Sequence, residues 1–292
     1  MKERIRTGNF RDKKRIFIFE KVKEILEELK EQEVNVVTVR QIFYQLVSRN
    51  LIKNNPSGYN YIQRLLVSAR YRGELDWDNI TDESSYVGIP TYFNDINHLI
   101  RSASNSYKLN RWKEQENYVE VWCEKMALSS VVNPIIKKWQ LISFIPGGRV
   151  SASDIYKAVE RLRAINKKCV ILYIGDHDPS GLNIVLTDLP KRFKEFNIDV
   201  KIKHIALTME QIKKYNLPTD QISKQKDTNR KWFIEHTGSD KCWELDALKP
   251  NILKNVIEKN ILKYLDKNKY NKMLEQEQID INKFKIIYED EK

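Results

Sequence analysis

Residues 169–181 read CVILYIGDHDPSG. Cys169 to Ile174 form an unbroken apolar run of strand length, and a run without alternation predicts a strand covered on both faces. Gly175, Pro179 and Gly181 punctuate the end of that run, and Pro179 suits the first position of a following helix. Strand, tight turn and helix make one unit of a parallel sheet. Working outward, YVEVWC (118–123) predicts a strand and 126–139 a helix. LISFI (141–145) then predicts a strand, 152–165 a helix, 180–195 a helix and VKIKHIAL (200–207) a strand. Strands alternating with helices of this length argue for an α/β, Rossmann-like domain with a mainly parallel sheet.

The first hundred residues follow another period. Val22, Ile25, Leu26 and Leu29 keep helical spacing, which predicts an amphipathic helix over 16–31. Thr38 is placed to cap a helix over 39–49 with Ile42, Phe43, Leu46 and Val47 inward. A third helix is predicted over 58–72. Ile62, Leu65, Leu66 and Ala69 form its apolar face, and Tyr61, Arg64, Ser68 and Arg72 its polar face. From Ser57 to Gly73 there are three arginines, Arg64, Arg70 and Arg72, and no acidic residue. Followed by GELDWDNI (73–80) as a β-wing, this order predicts a winged helix-turn-helix, with Arg64, Ser68, Arg70 and Arg72 as DNA contacts. A plain three-helix bundle with a basic outer face gives the same pattern. The junction between the halves is placed within 87–117, giving a domain over 16–110 and another over 111–292 with C-terminal helices.

The chain has 292 residues, with 51 Lys and Arg against 40 Asp and Glu, a formal charge of +11. Such a surface attracts polyanions by counterion release. Residues 1–15 carry seven Lys and Arg against Glu3 and Asp12. This basic arm reads either as a segment touching a phosphate backbone or as a solvated tail. Nine Gly and eight Pro exclude collagen-like and low-complexity readings. No long uncharged apolar run occurs, and the N-terminus lacks the apolar core of a signal peptide, so a cytoplasmic, nucleoid-associated protein with no membrane partner is expected. Cys123, Cys169 and Cys242 are far apart with no C-x-x-C, and His98, His177, His204 and His236 are scattered. A zinc site is therefore not expected, and any metal is expected to be held by oxygen.

In open parallel sheets, functional groups gather past the carboxyl ends of the strands. Glu124 follows YVEVWC directly, and Asp176 and Asp178 follow CVILYIG. Residues i and i+2 of an extended segment point the same way, so the two aspartates can face one cation while His177 turns aside. Three carboxylates converging without a basic partner repel one another, and a hard divalent ion, Mg²⁺ or Mn²⁺ in its place, relieves that repulsion. The alternative is structural: Asp178 caps the next helix and Asp176 ends a strand. Lys125 reads either as a phosphate contact or as a surface lysine. Glu244 and Asp246 in WELDAL either join the cluster or serve the fold.

Several stretches resemble a known family. VEVWCEKMAL (119–128) and YIGDHDPSG (173–181) resemble a Toprim domain. TVRQIFYQLV (38–47) resembles the active-site helix of the winged-helix domain in topoisomerase VI A subunits and the related meiotic double-strand-break transesterase. ALTMEQIKKYNLP (206–218), KDTNRKWF (226–233) and CWELDALKP (242–250) are similar to the C-terminal part of small bacterial and phage A-type relatives. The order, winged helix before Toprim, also matches, and the resemblance spans roughly 35–250. Many members carry two adjacent tyrosines, whereas here Phe43 precedes Tyr44.

The resemblance implies a type IIB topoisomerase-like, Mg²⁺-dependent enzyme, an isomerase when strand passage follows. Tyr44 would attack a phosphate of duplex DNA and become linked to the 5′ end, with Glu124, Asp176 and Asp178 as metal ligands. It also implies a homodimer making a double-strand break, the tyrosine of one subunit meeting the metal of the other. A phenol with a pKa of about 10 is a poor nucleophile unless cations steady the phenolate. Arg40, four residues earlier on the same helical face, is the candidate. The chain has no G-x-x-x-x-G-K-[ST] signature, so strand passage would need a separate ATPase subunit. Two further readings stay open: a Toprim nuclease in which water attacks, and a non-catalytic DNA-binding protein.

Overall fold

The computed structural model describes residues 13–32, 34, 36–81, 92–146, 150–219 and 226–289. Most of the basic arm, residues 1–12, lies outside them. Lys13 to Arg15 already belong to the first helix, α1 (Lys13–Glu31), which buries Ile18, Phe19, Val22, Ile25 and Leu29. The short strand β1 (Val37–Thr38) leads into α2 (Val39–Ser48). Thr38 starts α2 through a reciprocal cap: its Oγ1 accepts from the Gln41 N–H at 3.2 Å, and its own N–H donates to Gln41 Oε1 at 2.8 Å. Asn55 caps α3 (Pro56–Tyr71), whose apolar face buries Ile62, Leu65, Leu66 and Ala69. These three helices close on one core containing Ile25, Ile42, Leu46, Ile62 and Leu66. Each such side chain contributes roughly 1.5–3 kcal/mol by leaving water.

The segment predicted as a wing does not form one over 73–80. Trp77–Asn79 is a 3₁₀ turn, and β2 (Ile80–Thr81) pairs in parallel with β1, whereas a wing is an antiparallel hairpin. Beyond it, α4 (Ile96–Ser106) packs against the last helix of the chain, so residues before 110 are attached to the second half as well as to the first.

The second half is a mixed α/β layer structure around four parallel strands. In chain order come β3 (Asn117–Cys123), α5 (Ser129–Trp139), β4 (Ile142–Phe144), α6 (Ala152–Arg163) and β5 (Lys168–Ile174). Then follow α7 (Pro179–Asn183), α8 (Leu189–Glu195), β6 (Val200–Ala206), α9 (Met209–Lys214), α10 (Arg230–Thr237), α11 (Pro250–Ile261) and α12 (Lys267–Glu289). The strand order is β4-β3-β5-β6, with Val121 opposite Leu172.

The period of two sorts each strand between two cores. Val119, Val121, Cys123, Val170, Leu172 and Ile174 face α5 and α11. Trp122, Ile171 and Tyr173 face α6 and α8. On this second face the Glu120 side chain is wholly buried yet fully bonded. Arg161 of α6 grips it with Nε at 2.7 Å and Nη2 at 2.9 Å, Trp122 Nε1 donates at 2.8 Å and the Tyr118 hydroxyl at 2.8 Å. Among the described residues, no helix is long and apolar enough to cross a membrane.

Candidate functional site

The sheet presents the carboxyl ends of β3 and β5 side by side, and its candidate groups cluster there. Glu124 leaves β3 with its N–H on the Ile174 carbonyl at 2.9 Å, and its Oε2 accepts the Asp176 N–H at 3.2 Å. Two glycines make room for this carboxylate. A Cβ on Gly175 would lie 2.7 Å from Glu124 Oε2, and one on Gly181 would lie 3.2 Å from it and 2.5 Å from the Asp176 carbonyl oxygen.

Asp176 and Asp178 do different work. The Asp178 Oδ1 accepts the Gly181 N–H at 2.7 Å and caps α7, which is the structural role its position allowed. Asp176 turns toward the C-terminal part of the chain, where its Oδ1 accepts the Leu245 N–H at 2.7 Å. That encounter is fixed by an antiparallel bridge in which the N–H groups of His177 and Trp243 each reach the other's carbonyl at 3.0 Å. The bridge lays Glu244 and Asp246 against the strand ends, so both join the cluster.

The carboxylates do have a basic partner. Lys125, read as either a phosphate contact or a surface lysine, is drawn in from the surface. Its side chain is 15% exposed, and its Nζ lies 2.9 Å from Asp176 Oδ1, 2.9 Å from Glu244 Oε2 and 2.7 Å from Asp246 Oδ2. Burial disfavours its charge, but Asp246, Asp176 and Glu244 outweigh that and hold its pKa well above the ordinary lysine value. Asp176 is pushed up to about 7 by burial, against the pull of Lys125 and with the repulsion of Glu124, Glu244 and Asp178.

The first half docks on the same place. Arg40 of α2 donates from Nη1 to Glu244 Oε2 at 2.8 Å, so one carboxylate oxygen takes both Arg40 and Lys125. Arg40 also lies over the Tyr59 ring at 5.6 Å. Burial lowers its pKa, but Glu244, Asp246, Tyr44 and Tyr59 raise it further. Tyr44, one turn on, is 5% exposed and packs edge-on to Phe43 at 5.4 Å. Ala247 enters the same core as Tyr44, which fixes α2 to the cluster-bearing segment.

The proposed DNA-contacting face of α3 is narrower than its sequence implies. Arg64 is exposed, with its Nε on the Asn60 carbonyl of its own helix at 3.2 Å. Arg70 faces inward: it is 4% exposed, lies over the Trp77 ring at 5.0 Å and donates to the Ile80 carbonyl at 3.4 Å. Arg70 is thus corrected from a DNA contact to a prop under the 77–80 turn. Arg72 grips Glu74 with two bonds of 2.8 Å and donates to Ser68 Oγ at 2.6 Å, so Ser68 and Arg72 are engaged with the protein itself.

Three of the four histidines are not scattered in space. His177, His204 and His236 line one cavity of about 260 Å³ with Leu182, Leu186 and Met209. The Nε2 atoms of His177 and His204 are buried without a hydrogen-bond partner among the described residues.

Oxygen donors in excess of cations suit a hard divalent ion, and the wholly buried Asp246 keeps an Oδ1 with no hydrogen-bond partner among the described residues. In the arrangement described, however, no three His, Cys, Asp or Glu side chains among the described residues are grouped to hold a metal. Sequence reasoning left Glu244 and Asp246 undecided, although WELDAL repeats the two-apart carboxylates of DHD just ahead of Pro250. Compared with known proteins, the chain matches no family model, no curated protein and no solved structure.

Proposed function

We propose that this protein is a DNA-cleaving transesterase of the type IIB topoisomerase A-subunit kind, with the sheet as a Toprim-like domain and α1 to α3 as a winged-helix-like domain. The observation that carries the reading is the 2.8 Å bond between Arg40 and Glu244. This bond, over a separation of 204 residues, supports pairing the helix of the candidate nucleophile with the carboxylate cluster of its own subunit, in place of the expected meeting of one subunit's tyrosine with the other's metal. The basic charge of the chain supports duplex DNA as the substrate.

In this reading Tyr44 attacks a backbone phosphate. Its oxygen forms the bond to phosphorus, the phenolic proton passes to water, and the DNA 3′ oxygen leaves, giving a 5′ phosphotyrosyl link. Arg40 steadies the phenolate or the attacked phosphate. Glu124, Asp176 and Asp178 are the proposed ligands of Mg²⁺ or Mn²⁺, which when bound would supply stabilisation of the developing charge. Tyr44 is closely covered, so DNA binding must uncover its hydroxyl. A homodimer is the proposed assembly for paired cuts, and a separate ATPase subunit the proposed partner if strand passage follows.

The 5% exposure of Tyr44 favours a second reading, a metal-dependent nuclease in which water attacks. One experiment separates the two. Purified protein is incubated with supercoiled and end-labelled duplex DNA and Mg²⁺ or Mn²⁺, then quenched with detergent, alongside Tyr44→Phe and Asp176→Asn. Protein-linked breaks that vanish in both variants support the transesterase. Breaks with free ends that persist in Tyr44→Phe overturn it in favour of the nuclease, and salt-dependent binding with no breaks leaves a protein that only binds DNA.

A further inference from the structure

The charges at the strand ends do not balance. Asp176, Glu244 and Asp246 surround one ammonium, with Glu124 bonded to the Asp176 backbone beside them. Arg40 reaches the group from its edge, on Glu244. Asp246 is wholly buried, and while its Oδ2 meets Lys125, its Oδ1 has no hydrogen-bond partner among the described residues. A buried carboxylate oxygen without a donor is costly, and it sits in a group already bonded to a cation.

We propose that Lys125 is a tethered stand-in for a hard divalent cation, and that such an ion enters between Asp176, Glu244 and Asp246 by displacing the lysine ammonium. The inference rests on the cation-dependent reading above and extends its donor set to Glu244 and Asp246. Three carboxylate oxygens at 2.7–2.9 Å give the ammonium the surroundings of a coordinated cation. Lysine is suited to that place because its charge is compact and its four-carbon stem flexible, so it can leave without moving the strand. A small divalent ion brings a second positive charge and takes six oxygens, some of them water, so it can engage the oxygen that Lys125 leaves unbonded. The same occupancy accounts for the absence of a ready metal grouping among the described residues: the carboxylates are drawn in around nitrogen.

Because ion and ammonium exclude each other, removing the ammonium must tighten binding of the ion. The test is direct titration of metal-stripped, full-length protein with Mn²⁺, reading the free ion by its electron paramagnetic resonance signal. Lys125→Met is expected to bind Mn²⁺ at least about tenfold tighter than wild type, a difference of about 1.4 kcal/mol. Adding Asp246→Asn to it should reverse most of that gain. Lys125→Met leaves carboxylates in mutual repulsion and is expected to melt lower than wild type, with Mn²⁺ restoring it. Should it fail to fold, Asp246→Asn and Lys125→Met/Asp246→Asn make the same comparison with one carboxylate fewer, and the double variant is expected to bind tighter. Equal Mn²⁺ affinity with and without Lys125, in either background, overturns the proposal. Metal affinity is read without DNA, so tighter binding with no cleavage would sink the transesterase and leave the role of Lys125 standing.

Discussion

Replacing Arg161 by methionine should be among the most damaging single changes to this fold, and far worse than neutralising its partner. Glu120 is wholly buried and takes four bonds, two of them from the Arg161 guanidinium. Arg161→Met removes the compensating charge and leaves a carboxylate inside the sheet with two neutral donors. Breaking a buried pair from the side that leaves a charge unpaired costs about 3–5 kcal/mol. Glu120→Gln keeps the shape, and it leaves a guanidinium that is 32% exposed and can be rehydrated, so about 1–2 kcal/mol is expected. At about 2–3 °C per kcal/mol for a chain of this size, Arg161→Met should melt roughly 6–15 °C below wild type. Glu120→Leu/Arg161→Met, which removes both charges, should recover to within about 1–2 kcal/mol of wild type. Urea unfolding followed by circular dichroism, supported by thermal melts, measures all three. If Arg161→Met costs no more than Glu120→Gln, or if the double variant is worse than either, the ion pair is not the desolvated anchor described.

Acid sensitivity has a source on α12. Glu277, 4% exposed in its side chain, would be raised by burial, but Arg111 and the Leu109 N–H hold its pKa below the ordinary 4.5. Its contribution, roughly 1–3 kcal/mol, should be complete above the unfolded value and lost as pH falls through the lower folded one. Glu277→Gln should therefore lie below wild type at pH 7 and converge with it in acid, and parallel stability curves would contradict this. Gly181→Ala drives a methyl to 2.5 Å from the Asp176 carbonyl oxygen, so a loss of about 1–3 kcal/mol is expected in a urea melt, and a neutral outcome would show that the turn can yield. Arg64→Ala should weaken duplex binding and lower the magnitude of its salt slope by about one, whereas Arg70→Ala should lower stability and leave the slope alone. Equal loss of slope in both would put Arg70 back on the DNA.

What could be read from the sequence was what neighbours decide. The apolar run before GDHDPSG, the helical spacing from Val22 to Leu29 and the Thr38 cap each depend on a few adjacent residues, and each stands within three residues of where it was placed. Groups far apart in the chain were harder to read. Lys125 is separated from Glu244 by 119 residues and from Asp246 by 121, and nothing beside it announces that three carboxylates await it. His177 and His204 look unrelated until β5 and β6 pair and bring Tyr173 opposite His204. Arg70 was counted with the arginines of 57–73, although it lies four residues past Leu66 at the edge of the apolar face of α3, and the returning 77–80 turn covers that edge with Trp77. GELDWDNI has the turn residues of a hairpin, yet Ile80 is drawn to the open edge of β1 beside Val37.

The bridge between His177 and Trp243 also sets a timetable. A ribosome releases Arg40 first, then the two strand ends, and only much later the residues that bind them together, since Glu244 trails Arg40 by 204 positions. Until that stretch has emerged, Asp176 lacks the Leu245 amide, Lys125 lacks two of its three carboxylates, and α2, already packed on α1 and α3, lacks its partner in Glu244 and Ala247. A nascent chain therefore carries every candidate group of the sheet turn without the assembled centre, and whatever chemistry the centre performs waits until residues 243–247 have emerged.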